Sequence, residues 1–348
     1  GALVPVYDAA TLRPNPNGSG QVRYQFPGNI VPTSRFDPVA AKIMTYWPTP
    51  NATPTNAFTQ SNNYQDASAN NTDWNQIHAK VDHRFSDSNS LFVRYTHAEH
   101  NPTGNSIFTD KTIGPDRVDD QTNRNAVVSD THIFSPTLIN NLRVGISRQA
   151  FVFQAINAGQ GWPAKLGFAP IVPQDQMPDI SFGFGNIGGG AAGTRASLSW
   201  DIQDMVTKIS GNHTLKAGFN LRMMQGGNQQ GSGMSGVFRF GGLTQNPQAT
   251  AGTGADMAGF MLGTVSSVYI DSILGNMFEG NSYSFFVNDD WKVSRKLTLN
   301  LGLRYDYQPK AVERHNGIIN FDPNGIDPKT KLKGTTVFAG IDGQPREW

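Results

Sequence analysis

Apolar and polar positions alternate in short runs along the chain, and each run is followed closely by a second. From Leu297 to Tyr307 the alternation is unbroken: Leu297, Leu299, Leu301, Leu303, Tyr305 and Tyr307 fall on one side, and Thr298, Asn300, Gly302, Arg304 and Asp306 on the other. Successive side chains of an extended chain project to opposite faces, so this run predicts a strand that is apolar on one face only. Before it, Tyr283, Phe285, Val287 and Trp291 share a face interrupted by Asp289, while Ser284, Asn288 and Asp290 share the other, interrupted by Phe286. A polar turn from Lys292 to Lys296 joins the two into a predicted hairpin.

The same plan recurs upstream. Ile77, Ala79, Val81 and Phe85 alternate with Gln76, His78, Lys80, Asp82 and Arg84, turn at Ser86 to Ser90, and return through Leu91, Val93 and Tyr95. Ala126 to Phe134 turns at Ser135, Pro136 and Thr137 and returns through Leu142, Val144 and Ile146. Ser199 to Ser210 turns at Gly211, Asn212 and His213 and returns through Leu215, Ala217, Phe219 and Leu221. Turns within a pair are short, whereas links between pairs run to roughly 25 residues or more, which compact soluble domains seldom tolerate. Transmembrane β-barrels alternate their connections in this way, with short turns on the periplasmic side and long loops outside. The Gly-rich link from Gln149 to Leu198 is then expected to be extracellular.

The polar face gathers Lys80, Arg84, Arg94, Arg143, Lys216, Arg222 and Arg304, which suits a solvated sheet or an aqueous lumen equally. Trp74, Tyr95, Trp200, Tyr283, Trp291, Tyr305 and Tyr307 fall near strand ends, where aromatic rings meet lipid headgroups. Two helices interrupt the strand pattern. Asp37 precedes Pro38 and the segment Val39 to Trp47, which Pro48 stops, giving a capped helix with proline at its first position. Ala255 to Leu262 predicts a further helical turn.

Composition adds mainly exclusions. The 348 residues carry 28 Lys+Arg against 27 Asp+Glu, a formal charge of +1, and the charges are scattered, so the chain lacks the basic stripe of a nucleic-acid binder. With no cysteine, disulfides and thiolate metal sites are out of reach. No apolar run approaches the length of a membrane-spanning helix, and Gly1 to Ala10 has no export-signal pattern. Gly and Pro number 37 and 21 and cluster between the alternating runs, as loops do.

Candidate chemistry thins out on inspection. Gly183, Gly185 and Gly188 have dinucleotide-fingerprint spacing, with Asp204 beyond, but Gly189 to Gly193 follows where a helix is required, so a loop is expected. Asp119-Asp120 and Asp289-Asp290 are adjacent carboxylates, which strands send to opposite faces; the first pair is expected to be solvated and the second structural. His78, His83, His97 and His100 lack a common face and a completing carboxylate. Met223-Met224 and Met257 to Met261 are expected to fill gaps. No serine or threonine sits in a nucleophile elbow. No catalytic, cofactor or metal residue is therefore assigned, and the ligand-binding residues stay open. Trp162 and Phe168, loop aromatics beside glycines, are the candidates for stacking on a ligand, with loop packing as the competing expectation.

The segment Phe26-Pro-Gly-Asn-Ile-Val-Pro-Thr-Ser-Arg35, continuing through Asp37-Pro-Val-Ala-Ala41 to Pro48-Thr-Pro-Asn51, resembles the motif preceding the barrel hairpins of Oar-like TonB-dependent receptors. Phe286-Val-Asn-Asp-Asp-Trp291 with Leu297-Thr-Leu-Asn-Leu-Gly-Leu-Arg-Tyr305 is similar to a hairpin of TonB-dependent receptors generally. Ser129-Asp-Thr-His-Ile-Phe-Ser-Pro-Thr137, Gly211-Asn-His-Thr-Leu-Lys216 and Asn320-Phe-Asp-Pro323 fit the Oar-like pattern. The resemblance implies a roughly 22-stranded barrel closed by an N-terminal plug and coupled through a TonB box to the inner-membrane TonB complex. Plug and TonB box are not visible here, and Gly340 to Trp348 lacks the long alternating strand that ends most such barrels. Both ends are read as cuts within a longer chain.

The expected fold class is all-β, an antiparallel transmembrane β-barrel segment: a partial barrel of long hairpins with long extracellular loops. Residues 1–73 are expected to be a loop-rich segment with a short helix, and residues 74–348 a partial receptor barrel. The expected function is non-enzymatic: a bacterial outer-membrane receptor and transporter segment that forms barrel wall and extracellular loops for solute uptake. Its expected partners are outer-membrane lipid, the missing plug and remaining strands, the TonB complex through the absent N-terminal region, and an unidentified extracellular ligand, with no nucleic acid and no cofactor. The alternative is a secreted β-sandwich adhesin or carbohydrate-binding protein, with a glycosidase on such a scaffold a distant third.

Overall fold

The computed structural model describes residues 3–57, 60–69, 71–104, 106–182, 185–272 and 274–347. Eight long strands dominate it: β1 (Asn71–Ser86), β2 (Asn89–Thr103), β3 (Arg117–Ser135), β4 (Leu138–Ala155), β5 (Ala192–Ser210), β6 (His213–Gly231), β7 (Leu274–Ser294) and β8 (Leu297–Tyr307). They lie in sequence order in one antiparallel sheet, each bonded to its sequence neighbours, so the sheet is a meander. Among the described residues it does not close on itself: β1 and β8 are its edges, and the two-residue strand Val312–Glu313 pairs with β7 beyond the end of β8.

The alternation sets the register. Partners across an antiparallel ladder share a face, and one row runs Val81, Val93, Val128, Val144, Ile202, Leu221, Tyr283, Tyr307 from edge to edge. The neighbouring row on the opposite face runs Lys80, Arg94, Val127, Gly145, Asp201, Arg222, Ser282. A slip of one residue in any strand would exchange its apolar and polar sets, so each pairing is fixed by its neighbours' faces. The seven cations singled out from the sequence all lie on the second face. Trp74 does too, opposite His100, and so stands apart from the apolar-face aromatics with which sequence position grouped it.

The hairpin turns occupy residues 87–88, 136–137, 211–212 and 295–296, all at one end of the sheet. Gly211 takes a left-handed backbone (φ 56°) in its turn, where a side chain is disfavoured. The connections Thr103 to Arg117, Ala155 to Ala192 and Gly231 to Leu274 all emerge at the other end, as does the chain entering β1. At 21 residues, β7 extends roughly 70 Å, far beyond a hydrocarbon layer of about 30 Å, so its upper part rises clear of any bilayer. The apolar face shows the boundary: above Tyr95, Ala126, Ile146, Trp200 and Met223 the same face continues as His97, Arg124, Arg148, Leu198 and Gln225.

The long connections do not remain structureless. The strands run on to Ala155 and resume at Ala192, so the link expected from Gln149 to Leu198 is shorter than its composition suggests, and the remainder folds. Three helices, α1 (Pro38–Met44), α2 (Trp162–Leu166) and α3 (Asp256–Met261), gather with a four-stranded sheet made from Asp179–Phe182, Gly185–Ile187, Val237–Arg239 and Ser267–Tyr269. These enclose a separate core that includes Ile43, Phe108, Ile113, Leu166, Met177 and Phe260, forming a cap at the long-loop end. α1 starts where expected: Asp37 Oδ1 accepts from the amides of Val39 and Ala40 at 2.9 Å each, and Pro38 opens the helix. It ends at Met44, short of Trp47, because Tyr46 and Trp47 turn away to pack on Trp162 and Phe108.

The apolar face of the main sheet meets no second sheet among the described residues. Leu303 is 71% exposed, Val81 65% and Phe285 52%. A β-sandwich requires those side chains to interdigitate with an opposing layer, and the described residues supply none. Such a face suits lipid as its solvent.

Two outcomes follow. In the full-length protein Leu303→Arg should impair barrel assembly, since a cation on the lipid face near the bilayer midplane costs about 2 to 4 kcal/mol. Leu301 is the poorer probe, as it lies opposite Asp289, which would pair with an introduced arginine. Asn300→Arg, on the other face opposite Asp290, should assemble normally. Heat-modifiable mobility in gel electrophoresis reports assembly, and equal impairment by the two variants would contradict the face assignment. Expressed alone, residues 1–348 leave the edges of β1 and β8 unpaired and the apolar face bare, and should aggregate in buffer without detergent. A monodisperse 37.9 kDa monomer by light scattering would refute the partial-barrel reading.

Candidate functional site

The polar face of the sheet carries an open lattice of charges. Arg222 Nε lies 3.0 Å from Asp201, which also accepts from Asn220 at 3.0 Å and Gln203 at 2.6 Å. Lys80 pairs with Asp82 at 2.7 Å and Lys216 with Asp290 at 4.0 Å. Arg94 and Arg143 have no carboxylate within ion-pair distance among the described residues; Phe92 instead lies beneath Lys80 at 5.3 Å and Arg143 at 6.0 Å. Exposed pairs of this kind add little stability. Their effect is a hydrated, charge-bearing wall, opposite in character to the lipid face.

Interruptions in the apolar face find partners in the half of the sheet nearer the short turns. Asp289 accepts from His213 Nδ1 at 2.6 Å, Asp204 from Asn140 at 2.6 Å, and Asp130 from Asn89 at 3.0 Å. Each link crosses the seam between one hairpin and the next, β6 to β7, β4 to β5 and β2 to β3. A carboxylate on an apolar face needs a hydrogen-bond partner, and each of these has one. His213 also stacks on Trp291, with ring centroids 5.2 Å apart and planes at 15°.

The cap places the two aromatic candidates differently. Trp162 is 2% exposed, edge-on to Tyr46 at 5.4 Å with Lys165 Nζ 4.9 Å from its ring, so it serves as core and offers no face to a ligand. Phe168 is half-buried, 5.3 Å from Phe238, and lines a cavity of about 170 Å³. That cavity is floored by Ala40, Ile43, Ile180, Phe240 and Phe260 and rimmed by Asp37, Gly167, Ala169 and Gly263. Sequence reading took Asp37 for a helix cap alone, and the phenylalanines lie on separate loops whose spacing gives no sign that they converge.

Buried amides hold the cap together. Asn157, fully buried, donates to Gly114 O and Gly189 O at 3.0 Å and accepts from Met177 N at 2.9 Å. Gln176 donates to Gly190 O at 3.0 Å, and its own amide is received by Ser235 Oγ at 2.8 Å. Burial pushes the Asp179 carboxyl above the ordinary carboxylate range, with the charge of Arg239 opposing. Arg35 bonds Asp8 at 2.8 and 3.1 Å and holds its carboxyl below that range, burial opposing, with the Ala10 amide adding to the effect.

The remaining sequence candidates are dispersed. His97 bonds Glu99 at 3.0 Å, His78 bonds Thr96 at 3.0 Å on the opposite face, and His100 packs on Trp74 at 5.1 Å. No group of three or more potential metal ligands assembles among the described residues. Asp119 departs from the expected solvated state: Arg117 donates to it at 2.9 Å, and its side chain is only 12% exposed. Gly183 and Trp348 lie outside the described residues; Gly185 to Ile187 forms a short strand followed by left-handed Gly188, Gly189 and Gly190, with no helix for a nucleotide. Met257 and Met261 pack against the cap core as gap-fillers.

Residues 1–348 match the family described as outer membrane beta barrel domain. No curated protein matches. Among solved structures, the outer membrane transporter YddB from Escherichia coli aligns at 11% identity and TM-score 0.43, over 70% of this chain and 29% of that one. BauA, the ferric preacinetobactin receptor from Acinetobacter baumannii, aligns at 13% and 0.39, over 78% and 36%. The ferric-catecholate import receptor Fiu from E. coli K12 aligns at 11% and 0.36, over 77% and 42%. The chain thus spans less than half the length of each. With an apolar face bare to lipid, a charged face opposite and a family match along its whole length, this chain belongs to the outer membrane beta barrel domain family and is part of a barrel wall in the bacterial outer membrane.

Proposed function

We propose that the chain is the wall and outer cap of a TonB-dependent receptor of the Oar-like branch, which captures a solute outside the cell and passes it along a charged lumen. The observation that carries this reading is the separation of the sheet into a lipid face and a face holding Lys80, Arg94, Arg143, Lys216 and Arg222 in one field. A polar, charge-bearing face of this kind lines the water-filled or plugged interior of an outer-membrane barrel. The motifs from Phe26 to Asn51 and from Phe286 to Tyr305 add the family resemblance. On this reading residues 1–73 form a loop-rich segment that joins the cap, and residues 74–348 form part of the barrel. Plug, TonB box and the remaining strands belong to the rest of the protein, and the chain contributes binding and passage rather than bond chemistry.

Topology and transport are testable separately. The chain contains no cysteine, so single thiols introduced here report cleanly. Ile171→Cys, at a cap position 87% exposed, should react with an impermeant maleimide on intact cells, while Asp87→Cys in a short turn should react only after permeabilisation. Gly188 is a poor labelling site, because a Cβ there would meet Pro178 O at 2.1 Å. Reaction of both thiols on intact cells would sink the orientation. For transport, cells carrying the full-length protein should deplete at least one solute from a nutrient extract, by mass spectrometry, in a manner abolished by a protonophore. Depletion profiles identical with and without the protein would remove the uptake reading.

A further inference from the structure

The cavity in the cap has a size and lining that specify a ligand class. Its volume is about 170 Å³. An apolar cavity of about 150 Å³ stays dry and takes up benzene, so this one accommodates a single six-membered ring and little more. Four phenylalanines, Phe168, Phe238, Phe240 and Phe260, line it, drawn from the two long connections, and Ile43 of α1 closes the floor. Ring faces and edges lining the space favour an aromatic guest over a branched aliphatic one.

One charged group meets this apolar space. Asp37 Oδ1 accepts both helix amides, from Val39 and Ala40, whereas no donor among the described residues bonds Oδ2. Gly263, with φ 64°, sits against it: a Cβ there would lie 2.9 Å from Oδ2. The left-handed glycines Gly167 (φ 90°) and Gly263 keep the rim low, so that the carboxylate borders the mouth instead of being covered. A guest that fills the floor with a ring and reaches the rim with a short cationic arm meets both requirements. A carboxylate arm would be repelled there.

We propose that the cap cavity binds a small aromatic ammonium compound, one six-membered ring with a short amine arm, the ring held by the phenylalanines and the ammonium donating to Asp37 Oδ2. This rests on the receptor reading only in making the cap the first surface a solute meets, and it names the solute class for that surface. The phenyl faces contribute further attraction to the cation.

Benzylamine, benzyl alcohol and benzoate, titrated calorimetrically into the full-length protein in detergent at neutral pH, test the assignment. Benzylamine should bind most tightly and benzoate least. Asp37→Asn keeps an equally good helix cap and should weaken benzylamine about tenfold, the difference between a charge-assisted and a neutral hydrogen bond, while leaving benzyl alcohol unchanged. Ala169→Trp, at an exposed rim position, should abolish binding of all three by closing the mouth. Met177→Cys, buried in the cap core, should stay unreactive toward the impermeant maleimide in each background, which confirms that the cap is intact. Benzoate equal to benzylamine, indifference to Asp37→Asn, or no binding by any ring would overturn the proposal. Uptake without ring binding defeats the cavity assignment alone; ring binding without protonophore-sensitive uptake defeats the receptor reading and leaves the cavity.

Discussion

Every strand that crosses lipid must satisfy its amides and carbonyls in the neighbouring strand, because no water is present to do so. The rest of this structure depends on that requirement. The eight strands meet it by pairing with their sequence neighbours in a meander, which makes register a collective property. The row from Val81 to Tyr307 stays apolar across the sheet because each of its members is apolar in its own strand. One misplaced strand would break both its hydrogen bonds and its face. The seam contacts Asp130 to Asn89, Asp204 to Asn140 and Asp289 to His213 sit where hairpins meet, and they spend polar groups on a face that otherwise excludes them.

The same constraint ends at the membrane boundary, and the chain changes character there. Strands as long as β7 continue beyond it, where the apolar face takes up His97, Arg124, Arg148 and Gln225, and the loops they raise form a core of their own. That core is held by buried amides as much as by apolar contact: Asn157 ties three backbone segments, and Gln176 ties the two long connections. A cap secured in this way has a defined shape, which lets Phe168, Phe238, Phe240, Phe260 and Asp37 converge on one small cavity. Wall and cap therefore answer to different solvents while sharing continuous strands.

By itself the sequence determined the hairpins, their faces and the end at which each connection lies. A period of two is a local property, legible wherever one face is lipid and the other water, as in Leu297 to Tyr307. Asp37-Pro38 likewise announced α1, since a cap acts within three residues. Only the tertiary structure decided the cap. Its core joins residues as distant as Ile43 and Phe260, so no local period marks it, and glycine-rich stretches that read as slack loops turned out to be ordered by long-range contacts. Trp162 looked available because its neighbours are small, yet Tyr46, more than a hundred positions earlier, covers it. Asp289 looked like a defect in its strand until register placed His213 beside it. Local alternation fixes what a strand presents to its solvent; what a loop encloses is set by partners that the chain brings from far away.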